Sequence, residues 1–405
     1  MTAVIRTFAA TVVVAVLLAQ VSAADPDPAP PLDAAPLSDA EPPPPDAAPA
    51  PPVTAPVGAN TPAELESEEL IRQPTKARSD KKIKKDKKSR KSKWMPKISG
   101  FLQFYYRYTF FTSTDGMVDA PNFRVQRVRV AVEGKVNRWL SYDVSIDPRA
   151  PEITGLLRDA YLTIKHVVPH HRIRIGQQKT QFGYENRESS TRLFAVNRTE
   201  VSDNLSRGST LRDIGIGVIG GWPIGQGVEL EDALTVTNGN GMNQQVDDTR
   251  RKSYWGRVGA HYTHERISAR LGFSGGIGDF VEPPDPLDPV PMETHVDFKR
   301  LGGDLEIDTP WAFVSAEYVW GRDKIGTDTA DEKGYYVNVI GKAPYKLGPI
   351  FRYDVLGDEF QRFTLGAYYG LAEDRFRVLL NYEYRRLKDA VRGDDRLFFW
   401  TQVRF

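Results

Sequence analysis

The sequence predicts an all-β protein: a closed antiparallel transmembrane β-barrel of about 16 strands that follows a disordered Pro/Ala-rich and basic N-terminal segment. Three observations support this fold class. Apolar and polar side chains alternate from Trp94 to the end of the chain, short and long connections alternate between the strands, and the chain stops on Phe405 inside a strand. A closed barrel pairs that last strand with the first and leaves no exposed sheet edge.

The last thirty residues show the alternation most clearly. Over 376–384 one face consists of apolar and aromatic side chains, and the other face is mostly polar. Over 396–405 the same pattern returns and ends on an aromatic residue. Because successive side chains of a strand point to opposite faces, each segment is predicted to lie between an apolar and a polar solvent.

The connections between the predicted strands are unequal in length. Those expected on the periplasmic side, such as 263–265 and 309–310, are short. Those expected outside, such as 178–210, 276–298 and 321–333, are long. This asymmetry is typical of bacterial outer-membrane barrels.

Composition excludes several classes of protein. The 54 basic and 53 acidic residues nearly cancel, which argues against a nucleic-acid-binding protein held by net charge. The chain has no cysteine, so thiolate metal sites and a cysteine nucleophile are excluded. The negative mean hydropathy excludes a helical membrane protein but is compatible with a barrel that has a polar lumen.

Four regions are predicted along the chain. Residues 1–23 have the charged start, apolar run and small-residue cleavage site of a secretory signal peptide. Residues 24–63 form a Pro/Ala-rich periplasmic linker, 64–93 a short helix and a basic segment, and 94–405 the outer-membrane barrel. This order predicts a protein in the outer membrane of a Gram-negative bacterium, with its N-terminal segment in the periplasm.

The basic segment has two interpretations. Residues 76–93 contain eleven Lys or Arg against Asp80 and Asp86. Such a run is commonly a solvated charge run. The alternative is that it contacts anionic lipid or the cell wall, in which case the barrel would anchor an envelope tether.

The longest outer connection, 178–210, is the candidate constriction. A barrel of sixteen strands is too wide for its side chains to fill and leaves an aqueous channel. A connection of more than thirty residues without a clear element of its own is usually functional, so we expect it to fold into the lumen.

Arginine is the main candidate chemistry of the lumen. Its planar donor fork suits phosphate and carboxylate oxygens, which is what an anion channel would use. Lumen arginines can equally pair with acidic side chains and brace the barrel, and the sequence leaves both roles open. The candidate pore-lining and substrate-binding residues are Arg127, Arg129, Arg172, Arg174, Lys179, Arg187, Arg192, Arg198, Arg207, Arg375 and Arg377.

No enzyme site, cofactor or metal site is predicted. His166, His170 and His171 form one group and His261 and His264 another, both at predicted periplasmic turns and without further ligands at metal-site spacing. The sequence also lacks a catalytic Ser-His-Asp pattern and a phosphate-cradling glycine loop.

Several motifs resemble those of the phosphate-selective porins O and P. They are the segment 127–134 (RVRVAVEG), the pair Asp159 and Tyr161 followed by 174–179 (RIGQQK), and Arg212 with Asp213. Gln181 stands where that family usually has proline before Phe-Gly. The resemblance implies a sixteen-stranded barrel, a homotrimer of separate pores and uptake of phosphate-like anions.

The sequence therefore predicts an outer-membrane porin that passes small hydrophilic solutes, with anions such as phosphate preferred. The expected partners are small anionic solutes, outer-membrane lipid and two further copies of the chain, with no nucleic acid. The alternative is the envelope tether described above.

Overall fold

The computed structural model describes most of the chain after the N-terminal region. The described residues are 95–110, 121–150, 153–206, 212–244, 246–282, 294–343, 346–371, 374–388 and 395–405. The predicted signal peptide, linker, short helix and basic segment, as well as Trp94, lie outside these ranges.

Sixteen strands and two short helices make up the described part of the chain. The first eight strands are β1 (Lys97–Thr109), β2 (Asn122–Lys135), β3 (Leu140–Ile146), β4 (Leu157–Lys165), β5 (His171–Lys179), β6 (Arg212–Gly225), β7 (Val228–Thr237) and β8 (Ser253–His264). The other eight are β9 (Ile267–Glu282), β10 (Thr294–Asp308), β11 (Ala312–Ile325), β12 (Asp328–Gly341), β13 (Leu347–Leu356), β14 (Phe360–Leu371), β15 (Phe376–Leu387) and β16 (Arg396–Arg404). The helices are α1 (Ile153–Leu156) and α2 (Glu200–Asn204).

The sheet is a closed antiparallel barrel in which each strand pairs with its neighbours in sequence and β1 pairs with β16. Closure includes the last residue of the chain. The Gly100 amide donates to the Phe405 carbonyl at 3.0 Å, and the Phe405 amide donates to the Gly100 carbonyl at 3.0 Å. The predicted fold class, strand number and pairing of the two end strands are confirmed.

Alternation along the strands sorts side chains into an apolar outer face and a mostly polar inner face. On β15, Phe376 and Leu380 are exposed on the outside, while Arg377, Asn381 and Glu383 are buried on the inside. Because an outward apolar face suits lipid and an inward polar face suits water, the wall separates the two solvents that the sequence predicted.

Two predicted outer loops are wrong in extent. The connections expected at 276–298 and 321–333 are mostly strand, because β9 runs to Glu282, β10 starts at Thr294, and β11 and β12 continue to a two-residue turn at 326–327. Gly326 in this turn has a φ of +58°, which suits a tight hairpin. The ends of β11 and β12 are almost entirely polar on both faces, so alternation no longer marks a strand there. At the start of β10, buried Val296 and Phe298 do alternate with the more exposed His295 and Asp297, but this stretch is too short to be recognised as a strand from the sequence.

Within the described residues, no helix is long and apolar enough to span a bilayer.

Candidate functional site: a loop bound inside the barrel

The connection between β5 and β6 lies inside the barrel. The structure places it at 180–211, slightly later than the predicted 178–210, and residues 180–206 of it are described. We call this connection loop 3. Its central contact is Glu185, which is 1% exposed and accepts a hydrogen bond from Arg352 of β13 at 3.0 Å. The same arginine donates to the Asn197 carbonyl at 2.7 Å. One wall side chain therefore binds loop 3 at two points.

Two more wall arginines bind the backbone of loop 3. Arg362 of β14 donates to the Arg198 carbonyl at 2.7 Å and to both Asp354 carboxylate oxygens at 2.8 and 2.9 Å. Arg377 of β15 donates to the carbonyls of Thr191 and Leu193 at 2.7 and 3.2 Å. Because donors on charged groups make the stronger hydrogen bonds, these contacts fix the path of the loop along β13 to β15.

Apolar side chains pack loop 3 against the wall in two places. Where the loop leaves and returns to the wall, Phe182, Val201 and Leu205 pack against the inward-facing Trp255 and Phe298, with the Phe182 and Trp255 rings 5.6 Å apart. Near the middle of the loop, Val196 and the partly buried Phe194 pack on an apolar patch of the inner wall. That patch comprises Ile340, Ile350, Tyr368, Leu379, Phe398 and Trp400. Burial of this kind excludes water from the contact between loop and wall.

Local structure orients the buried carboxylate. Thr199 caps the short helix α2, and both its amide and its hydroxyl donate to Glu185, at 2.8 and 2.7 Å. Burial alone would raise the pKa of Glu185. The nearby positive charges of Arg352 and Arg198 and the two Thr199 donors outweigh burial and hold that pKa below its ordinary value. Glu185 is therefore ionised and compensated.

Many inward-facing arginines of the wall are neutralised by carboxylates. They form ion pairs with the carboxylates of neighbouring strands or of loop 3. The pairs are Arg129 with Asp159, Arg212 with Asp159, Arg257 with Asp304, Arg270 with Glu231, Arg300 with Asp323, Arg352 with Glu185 and Arg362 with Asp354. The bracing role that the sequence left open thus applies to predicted Arg129 and to these other arginines.

A second group of arginines has no carboxylate partner among the described residues. Arg172 and Arg174 lie on the inner face of β5, and each has a buried Nε without a hydrogen-bond acceptor. The Arg174 guanidinium stacks over the Tyr161 ring at 4.6 Å. The charge of Arg187 on loop 3 acts on Arg172, so these three cations share one side of the lumen. We call Arg172, Arg174 and Arg187 the arginine cluster.

Arg127 extends the positive side of the lumen along β2. Its guanidinium donates to the Gln103 side chain at 3.2 Å and makes no ion pair within the described ranges. It lies close enough to Arg198 and Asp203 of loop 3 for their charges to act on it, so it is beside the loop. Burial lowers the pKa of Arg187 to about 10, so Arg187 remains charged at neutral pH.

The other candidates have different positions. Lys179 ends β5 and donates to the carbonyls of Arg187 and Glu188, at 3.3 and 2.8 Å. Arg198 is buried and donates to the carbonyls of the same loop, so it supports loop 3. Arg192 is partly exposed on loop 3.

Two candidates cannot be placed on the lumen wall. Arg207 lies outside the described residues. Arg375 is exposed in the turn before β15, so it lies outside the strands of the wall, at the periplasmic end of the barrel. Alternation continues past a strand end in the sequence, but a turn residue has no fixed face, which is why the sequence placed Arg375 on the wall.

Several functional contacts were not predicted. Gln103 of β1 is fully buried and donates to the Ser190 carbonyl of loop 3 and to Gln402 of β16, at 3.1 and 2.7 Å. His171, expected to be one of a group of turn histidines, lies 2.9 Å from the Asp232 carboxylate. The partners in these pairs are at least 61 residues apart, so only the barrel register brings them together.

Among the described residues, no group of His, Asp and Glu is placed to hold a metal ion. The arrangement instead offers fixed, desolvated guanidinium groups next to a loop that narrows the lumen. Such groups can exchange hydrogen bonds with a passing oxyanion without chemical change.

Comparison with known families confirms the resemblance predicted from the motifs. Residues 100–257 match the family model described as phosphate-selective porin O and P. The match covers β1 to the first residues of β8, including the segment from which loop 3 and the arginine cluster arise. No curated protein matches the chain.

Solved structures show the same fold at low sequence identity. The trimer form of in-vitro folded OmpT from Vibrio cholerae is 13% identical, with a TM-score of 0.52 and coverage of 77% of this chain and 99% of that one. A Salmonella typhi OmpF complex with daunomycin is 14% identical, with a TM-score of 0.51 and coverage of 76% and 97%. The outer membrane channel DcaP of Acinetobacter baumannii is 15% identical, with a TM-score of 0.50 and coverage of 78% and 98%. The family match and the barrel fold together indicate a porin-type channel in a Gram-negative outer membrane.

Proposed function

We propose that this porin-type barrel passes small hydrophilic anions, phosphate-like ones among them, by passive diffusion past loop 3. The observation that supports this function best is the contrast between two groups of arginines. Many wall arginines are neutralised by carboxylates, whereas no ion pair joins the arginine cluster to a carboxylate in the described structure. The two carboxylates whose charges act on Arg187, Glu231 and Asp304, are themselves paired with Arg270 and Arg257, so the lumen beside loop 3 has a net positive charge.

This positive charge is expected to select anions over cations. Fixed cations in a cleft with low-dielectric walls raise the local concentration of anions and exclude cations. Arginine presents donors in a planar fork that match two oxygens of a phosphate or carboxylate. Three guanidinium groups in succession would let an anion move from one to the next without tight binding at any, which conduction requires.

We also propose how many copies of the chain assemble and on which side of the membrane its N-terminal segment lies. The family resemblance implies a homotrimer, and the OmpT structure is described as a trimer form, which supports three pores per assembly. The N-terminal residues 24–93 would then lie on the periplasmic side, since β1 starts there. The barrel domain would span 94–405, as the sequence predicts.

Phosphate block of chloride current tests the proposal. The purified chain is placed in a planar bilayer in potassium chloride, and phosphate is titrated into one chamber. We expect phosphate to lower the chloride current of the wild type, and the double variant Arg172→Gln/Arg174→Gln to lose most of that inhibition. Arg375→Gln, in an exposed turn, is the matched control and should behave like the wild type.

Two outcomes would count against the proposal. Unchanged phosphate inhibition in the double variant would mean that the arginine cluster is not the binding site. A wild-type channel that prefers potassium would contradict the anion function while leaving the porin-type barrel intact.

A further inference from the structure

The outer surface of β10, β11 and β12 changes from apolar to basic over two rows of side chains. In the lower row, Leu301 pairs with Trp320, which pairs with Lys333. In the next row toward the outside, Lys299 pairs with Arg322. Neighbouring strands are ~4.8 Å apart, so the side chains of the two rows form one compact surface.

The height of this surface follows from β11 itself. Trp311 precedes the strand at its periplasmic end and is 72% exposed, and Trp320 lies nine residues further along. At ~3.3 Å per residue the two tryptophans are ~30 Å apart along the strand, or ~23 Å across a membrane at a tilt of ~40°. An outer-membrane barrel has an apolar band of ~25 Å between its aromatic girdles. Lys299 and Arg322, one row beyond Trp320, therefore lie at the level of the outer-leaflet headgroups, and Lys333, in the same row as Trp320, reaches that level with its long side chain.

The lysines at this level are available. Lys299, Lys324 and Lys333 are exposed, and none of them makes an ion pair within the described ranges. Arg322 stacks over the Trp320 ring at 5.3 Å and donates to Asp331 at 2.5 and 2.6 Å, with both side chains nearly half exposed. The Trp320 ring thus holds a guanidinium directly above the apolar band.

Acidic side chains only partly balance the surface. The outward-facing carboxylates beside it are Asp331, paired with Arg322, and Asp297, paired with Arg251. Lys324 lies across from Asp297 in the strand register, whereas Lys299 faces Ile277 and Arg322, and Lys333 faces Trp320. Lys299 and Lys333 therefore have no carboxylate directly opposite them. Since the inner face of the same strands is occupied by the ion pairs of the lumen, this basic surface is separate from the solute path.

We propose that Lys299, Arg322 and Lys333 bind the phosphate groups of the outer-leaflet glycolipid, lipopolysaccharide. A phosphate at headgroup level would contact the two ammonium groups and the guanidinium. The acyl chains of the same molecule would pack below on Leu301 and Trp320, which continue the apolar band. The basic side chains thus match the phosphate groups, and the apolar side chains below them match the acyl chains of the same lipid.

Binding of lipid A by the purified full chain tests this site. The chain in detergent is mixed with phosphorylated or dephosphorylated lipid A, and the bound lipid is counted by native mass spectrometry. We expect the wild type to retain phosphorylated lipid A at least about fivefold better than the dephosphorylated form. The triple variant Lys299→Gln/Arg322→Gln/Lys333→Gln should bind the two forms equally.

The matched control removes three cations at the other end of the barrel. The variant Lys97→Gln/Lys135→Gln/Arg138→Gln changes exposed residues near the periplasmic ends of β1 and β2 and should keep the wild-type preference. The chloride conductance of the triple variant reports that its barrel is folded. Equal binding of both lipids by the wild type, or full retention by the conducting triple variant, would overturn the proposal. Complete displacement of lipid A by an equal concentration of inorganic phosphate would also overturn it, because the ligand would then be the free ion.

Discussion

Arg352 of β13 donates to Glu185 of loop 3 at 3.0 Å, in a contact where both side chains are almost completely buried. The two residues are 167 positions apart in sequence. This pair joins the wall to the loop that narrows the lumen. The behaviour of the channel therefore depends on a structural ion pair as well as on the cations that face the solute.

Removing the loop carboxylate should release loop 3. In Glu185→Ala, Arg352 loses its carboxylate partner and the Thr199 donors lose their acceptor inside the barrel. Leaving one member of a buried pair without its partner costs ~3–5 kcal/mol, enough to detach the loop locally. We expect a higher and noisier single-channel conductance and faster proteolysis of loop 3. Lys252→Gln, which removes an exposed pair with Asp247, should change neither. A quiet channel of wild-type conductance would show that Glu185 does not hold the loop.

Removing the aromatic contact at the start of loop 3 should also release the loop. Phe182 is fully buried against Trp255 and Phe298. Its truncation to alanine should cost ~3–5 kcal/mol through lost burial and the cavity left behind. Thermal unfolding of Phe182→Ala in detergent should begin at a lower temperature, with cleavage of loop 3 before the barrel opens. Val246→Ala, at a 74% exposed position, is the control and should unfold like the wild type.

The charge of Asp203 should make the channel sensitive to pH. Burial, followed by repulsion from Glu185, raises the pKa of Asp203 from 3.8 to about 6, with Glu200 adding to the rise and Arg198 and Arg127 opposing it. Below pH 6 the side chain is neutral. As pH rises through 6, a negative charge forms beside Arg127 and should lower anion selectivity. The reversal potential should therefore shift between pH 5 and pH 7 in the wild type.

The variant Asp203→Asn should abolish this shift. Because the raised pKa means that ionisation is disfavoured in the folded chain, the same variant should be more stable than the wild type above pH 6 and not at pH 4. Asp247→Asn, in an exposed loop pair, is the control. A pH shift that persists in Asp203→Asn would assign the titration to another group.

Closure of the barrel should fail in Gly100→Val. A Cβ at Gly100 would meet the backbone carbonyl of Arg129 and the ring of Phe405, at the junction of β1 with β2 and β16. A Cβ at Gly256 would have only one neighbour, the Ala233 carbonyl at 4.0 Å, so Gly256→Val is a matched control. On refolding into detergent, Gly100→Val should lack the heat-stable folded band in gel electrophoresis, whereas Gly256→Val should keep it. Equal yields would contradict the importance of this junction.

The fold was predictable because the barrel wall separates two solvents over its whole height. Alternation identified sixteen strands and the correct inner face for residues such as Arg377 and Asn381. It failed for 321–325 and 328–333, where β11 and β12 extend into water and both faces are polar. It failed again at Arg375, where the strand has not yet begun.

The candidate site was predictable only in part. The length of the 178–210 connection indicated a loop inside the lumen, and parity placed Arg172 and Arg174 on the inner wall. Alternation shows which face of a strand a side chain is on but not which side chains it contacts. It therefore did not distinguish Arg129, which pairs with Asp159, from Arg172 and Arg174. It also gave no sign that inward-facing Leu379 and Phe398 pack on the loop, because a lumen was expected to be polar.

The reversal potential across a salt gradient tests the central claim most directly. The wild-type channel is measured between concentrated and dilute potassium chloride, beside Arg172→Gln/Arg174→Gln and the control Arg375→Gln. The arginine cluster predicts that the wild type and the control reverse at a potential favouring chloride, and that the double variant moves clearly toward zero. Reversal at a potential favouring potassium in the wild type, or the same chloride preference in all three channels, would contradict it.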